Sequence, residues 1–68
     1  MEQVKLKVDI KGLRREANVG LVRAAAMVDV SPSTLERVEA GWSPGIVTAL
    51  KVARFMQMPV EEIWGIDE

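Results

Sequence analysis

The side chains of this chain that could do chemistry are few, and their types exclude more than they allow. Histidine is absent, which removes the commonest acid–base group and metal ligand. Cysteine is absent too, so there is no thiolate, no disulfide and no cysteine nucleophile. The hydroxyls of Ser31, Ser33, Thr34 and Ser43 have no base to activate them, and they read as caps and hydrogen-bond groups. The carboxylates Glu61, Glu62, Asp67 and Glu68 gather near the C-terminus, but without His or Cys they make a weak metal site. No glycine-rich stretch is arranged to cradle a phosphate. An enzyme is therefore not expected, nor a metal, a cofactor or a small-molecule ligand.

The elements that must position these groups lie between Leu21 and Gly41. Leu21, Ala24, Ala25 and Val28 recur at helical spacing on one face. Asp29 follows where the chain must turn. Ser31-Pro32 is a strong helix start, with a capping hydroxyl and a proline whose missing N–H is not needed there. Leu35 and Val38 point inward, and Gly41 stops the second helix. Two short helices around a tight turn make a helix-turn-helix unit over residues 21–41. Before it, Ile10, Leu13 and Ala17 predict an inner face for a helix over residues 10–17. After it, a helix running to Met56 carries two apolar stripes. One is Ile46, Ala49, Leu50, Ala53 and Met56, and the other is Thr48, Val52 and Phe55. Pro59 opens a short last helix through Trp64, with Glu61 and Glu62 in its first turn. Gly65 ends it, and residues 66–68 are expected to fray.

The run Val30-Ser31-Pro32-Ser33-Thr34-Leu35-Glu36-Arg37-Val38-Glu39-Ala40-Gly41 resembles the V-S-x-S-T-I-x-R-I-E-x-G signature of the phage repressor/Cro-type, XRE-like helix-turn-helix family. The similarity extends from Ile10 to Trp64, about four-fifths of the chain. It implies an all-α fold: a five-helix, lambda-repressor-like DNA-binding domain, preceded here by a short N-terminal β-strand or extended arm (residues 1–9, against 10–65 for the domain). It also implies a transcriptional regulator that binds double-stranded DNA as a homodimer on a palindromic operator. The second helix of the unit would enter the major groove. Pro32, Ser33 and Arg37 would then face base edges, and Ser31, Thr34 and Arg23 would meet phosphate or groove edges. Arg37 suits sequence readout, because a guanidinium can contact guanine O6 and N7 together. Trp42 and Ser43 follow the helix, where an indole N–H or hydroxyl could donate to a phosphate. Arg14 and Glu39 match the family's structural ion pair. Two positions depart from the pattern: Leu21 stands where relatives place a phosphate-binding Gln, and Pro32 where many place a polar base reader. The alternative reading is a protein-interaction module of the same fold, using Val22, Met27, Val47 and Phe55.

The 68 residues suffice for one small domain, and the net charge of −1 is unevenly spread. Residues 1–23 carry Lys5, Lys7, Lys11, Arg14, Arg15 and Arg23 against Glu2, Asp9 and Glu16, a balance of +3. Residues 55–68 carry four carboxylates and no cation, a balance of −4. Val4, Leu6, Val8 and Ile10 alternate with charged residues, a strand pattern. With no second alternating segment in the chain, this strand is expected either to pair with its copy in a second molecule or to pack on its own helices. In the first case Val4, Leu6 and Val8 would rest on Val52 and Phe55 as the dimer interface. In the second, dimerisation would use the last helix and the loop before it. No run is long enough to span a bilayer and no signal peptide is visible, so a soluble cytoplasmic protein is the expectation.

Overall fold

The computed structural model describes residues 3–67. Their order is β1 (Gln3–Leu6), α1 (Ile10–Glu16), α2 (Leu21–Val28), α3 (Pro32–Glu39), α4 (Ile46–Met56), α5 (Val60–Ile63) and β2 (Trp64–Asp67). The domain is mostly helical, with β1 and β2 forming a two-stranded antiparallel ribbon. That ribbon corrects the all-α expectation. Gln3 pairs with Asp67, Val4 with Ile66, Lys5 with Gly65 and Leu6 with Trp64. Trp64 and Gly65, expected to end the last helix, and Ile66 and Asp67, expected to fray, together supply the strand that the N-terminal arm needs, and Glu68 lies outside the described residues.

Four helices end the same way. Asn18 (φ 60°), Asp29 (φ 71°), Gly41 (φ 97°) and Gln57 (φ 56°) each take the left-handed conformation just past α1, α2, α3 and α4. Each left-handed residue donates its N–H to the carbonyl three residues back, and its successor donates to the carbonyl five back. The pairs are Asn18→Arg15 and Val19→Arg14, Asp29→Ala26 and Val30→Ala25, Gly41→Val38 and Trp42→Arg37, Gln57→Arg54 and Met58→Ala53, all between 3.0 and 3.3 Å. This closes carbonyls that a helix end leaves orphaned, and it usually brings the successor back against the helix. Val19, Val30 and Met58 obey, each half-buried against the core.

The helix starts are as clearly coded. Ser31 Oγ accepts from the Thr34 N–H at 3.2 Å and Pro32 occupies the first turn of α3. Asp9, read from the sequence only as a charge of the arm, caps α1 through the Gly12 N–H at 3.0 Å.

The core divides in two. Ala24, Ala25 and Leu35 join α2 to α3. Ile10, Val28, Val38, Ala49, Val52, Ala53, Ile63 and Trp64 join all five helices and β2, with Leu6 and Val8 packed on their edge. Four inner-face assignments fail. Leu13 and Ala17 are exposed on α1, and Ile46 and Leu50 are exposed on α4 at 70% and 55%. The sequence supports two stripes on α4, and tertiary packing places Ala49, Val52 and Ala53 inside. The strand-mediated dimer interface expected from the sequence would need Val52 at the surface, and the fold buries it. Val52 is 1% exposed, Leu6 and Val8 pack on their own core, and only Val4 of the arm's apolar residues is open. Phe55 lies with Val52, Leu13 and Ile10 around an apolar cleft of about 120 Å³ beside α1 and α4. Once β1 is paired with β2 in the chain, the arm no longer needs a partner molecule for pairing.

Candidate nucleic-acid interface

The α2–turn–α3 unit is held from behind by three kinds of contact. The first is apolar: Leu35 and Val38 are buried, against Ala24 and Ala25 in the case of Leu35. The second is ionic. Arg14 Nε and Nη2 donate to Glu39 Oε2 and Oε1 at 2.7 and 3.1 Å, and Nη1 donates to the Val19 carbonyl at 3.0 Å. This two-pronged pair, with side chains 12% and 4% exposed, fixes the end of α3 to α1 and to the loop before α2. The hydrogen bond to Glu39 holds the Arg14 guanidinium above its already high ordinary pKa, against a smaller opposing effect of burial. A raised value in the folded state means the contribution is present below it and lost only above it. Arg14 therefore remains charged throughout the working pH range. The third contact is at the turn: Lys51 of α4 donates to the Asp29 carbonyl at 2.9 Å and lies 3.2 Å from its carboxylate. That pair is open to solvent and worth little as an ion pair, but the carbonyl bond pins the turn.

With its back fixed, α3 turns Ser31, Pro32, Ser33, Glu36 and Arg37 to solvent. Ser31 Oγ donates to Thr34 Oγ1 at 2.8 Å and sits 3.3 Å from Ser33 Oγ, so three hydroxyls converge at the helix N-terminus. Thr34, Arg37, Trp42 and Ser43 meet around a notch of about 180 Å³ with Val38, Pro44, Gly45 and Thr48. The Arg37 guanidinium carbon lies over the Trp42 ring, 5.6 Å from its centroid. Arg23 is exposed on α2 and does not line this notch. Leu21 is half-buried against the smaller core, so the side chain at the start of α2 packs rather than reaching outward.

Two contributors escaped sequence reasoning. Thr48 joins the notch because the loop from Gly41 to Gly45 folds α4 back beside α3; no local signal marks it. The Arg37–Trp42 contact was legible in principle, because Gly41 after a helix predicts the turn that returns the next residue to Arg37. Among the described residues, no group of His, Cys, Asp or Glu is arranged to hold a metal ion, and no helix is long and apolar enough to cross a membrane. No protein-family model matches the chain, and no curated protein matches it.

Proposed function

We propose that this chain is a small cytoplasmic DNA-binding regulator of the phage repressor/Cro type, with a lambda-repressor-like fold, acting as a homodimer on a two-fold symmetric site. The observation that carries the reading is the outward face of α3. Its buried side is fixed by Leu35, Val38 and the Arg14–Glu39 pair, while serine hydroxyls, a proline and the Arg37 side chain are exposed on the other side. A rigid helix with donors at its N-terminal end fits the major groove. The positive end of its dipole suits a phosphate. Arg37 would read a guanine, Pro32 would touch a thymine methyl, Ser33 would face a base edge, and Ser31, Thr34, Ser43 and Arg23 would hold sugar and phosphate. The chain would act by occupying DNA.

The test is selection from a random duplex library, followed by fluorescence anisotropy on the selected site. Arg37→Ala should lose preference at one base pair per half-site, and Arg23→Ala should weaken all sequences alike. Binding that neither substitution changes would reject α3 as the groove helix. A second reading has an observation of its own: Val22, Met27 and Val47 are all exposed, as a protein-docking surface would be. That reading predicts Val22→Asp to abolish partner capture and leave DNA affinity alone.

A further inference from the structure

Of the four left-handed helix ends, one breaks the pattern. The residue after the turn is half-buried against the core at Val19, Val30 and Met58. At the end of α3 it is Trp42, the largest side chain available, and it is 65% exposed. It serves no core. Instead its backbone N–H donates to the Arg37 carbonyl at 3.0 Å, and its ring lies against the Arg37 guanidinium. One residue is thus held to Arg37 twice, by main chain and by side chain. Gly41 makes this possible, since φ 97° is a conformation that side chains oppose. The arginine at the same position before the α1 turn, Arg14, is tied inward to Glu39; Arg37 has no acidic partner among the described residues and is tied to an aromatic face.

We infer that Trp42 is a positioning residue: it pre-orders the Arg37 side chain beside α3, so that the guanidinium meets a base edge without first losing its rotamer freedom. This rests on the DNA-binding reading above and assigns within it the residue that sets selectivity at Arg37's base pair. An arginine side chain is costly to immobilise. A cation–π contact at an exposed site corresponds to a shift of roughly two- to fivefold in such a population. The ring leaves the guanidinium edge free, because stacking uses the face and base recognition uses the in-plane N–H groups.

The test compares the wild-type chain with Trp42→Ala, Trp42→Phe, Arg37→Ala and the Trp42→Ala/Arg37→Ala double variant. Three quantities are measured: discrimination at the base pair that Arg37→Ala identifies, affinity for mixed-sequence duplex, and the heteronuclear NOE of Arg37 Nε in the DNA-free protein. Trp42→Ala should lower discrimination roughly two- to fivefold. It should also lower the NOE, with mixed-sequence affinity changing less than discrimination does. Trp42→Phe should restore most of the loss, since a benzene ring also receives a cation. The double variant should discriminate no worse than Arg37→Ala. An unchanged NOE in Trp42→Ala, a Phe variant as poor as Ala, or a further loss in the double variant would each overturn the inference. The last two would assign the effect to the indole touching DNA itself. A wild-type chain that binds no duplex fails the reading above and takes this inference with it, whatever the NOE shows.

Discussion

Leu35 and Leu50 are the same residue type in neighbouring helices, and the sequence pattern places both inward. The structure separates them: Leu35 is 1% exposed and Leu50 is 55% exposed. Truncating each to alanine therefore measures the packing directly. Full burial of a leucine is worth about 1.5–3 kcal/mol in transfer alone. At Leu35 a cavity is added, because the facing residues are Ala24 and Ala25, whose single methyl groups cannot move in to fill it. The loss should fall in the upper part of the range for such substitutions, roughly 3–5 kcal/mol. A domain of this size has only about 3–10 kcal/mol in all, so Leu35→Ala should lower the melting temperature by more than about 12 °C. At Leu50 more than half of the residue already faces water and no cavity forms. Alanine also favours the helix slightly, so the cost should stay below about 1 kcal/mol. Urea titration followed by far-UV circular dichroism gives both values, with unchanged m-values showing that two-state unfolding persists. Equal losses, or a larger loss at Leu50, would mean that α4 presents Ile46 and Leu50 inward after all, and the packing described here would be wrong.

Other substitutions probe the turns and the ion pair. Arg14→Met or Glu39→Leu alone should destabilise the fold by stranding one partly buried charge, while the double variant should recover much of the loss; a double variant that sums the two singles argues against the pair as the cause. Gly41→Ala should cost roughly 1 kcal/mol through its positive φ alone, since the space beside it is empty. Gln57→Gly, at φ 56° with an ordinary side chain, should stabilise by up to about 1 kcal/mol, and calorimetry reads both signs. Breaking the ribbon with Lys5→Pro should lower the melting temperature while leaving the mass in solution unchanged, because β1 pairs within the chain; loss of a dimer on that change would revive strand-mediated assembly.

A net charge of −1 is a difficulty for the DNA-binding proposal, and the fold bears on it. The acidic stretch of residues 55–68 is not spread over α3. Glu61 and Glu62 sit in the first turn of α5, and β2 lies beside β1, whose neighbour Lys7 donates to the Glu61 carbonyl at 3.1 Å. On α3 itself, Glu39 is neutralised by Arg14, which leaves Glu36 against Arg37. Such a face offers few cations to phosphates. With a salt slope near −0.9 per phosphate neutralised, two arginines per protomer would give only a shallow dependence. On the proposed reading, affinity would come from the fit of α3 and from pairing two protomers, so an ordered Arg37 would matter more here than in a strongly basic protein.

The helices were legible because their ends are chemically marked: Ser31-Pro32 and Pro59 at starts, Gly41 at a stop, and apolar spacing between. The Arg14–Glu39 pair was legible only through the resemblance, since no local rule joins residues so far apart. The ribbon was not legible. Trp64-Gly65-Ile66-Asp67 is too short and too poor in alternation to read as a strand, and becomes one because the alternating Gln3–Leu6 segment reaches it through the fold. The faces of α4 failed for a related reason. Two stripes of comparable apolarity compete on one helix, and the choice falls to what stands opposite. Val52 and Ala49 meet residues of α1, α5 and β2, elements whose positions no periodicity in α4 contains. Trp42 lies between these cases. The left-handed glycine predicts that its side chain returns toward Arg37, yet a tryptophan there reads equally well as core until its exposure is known. Exposure is the non-local quantity, and it turns a packing residue into a candidate for function.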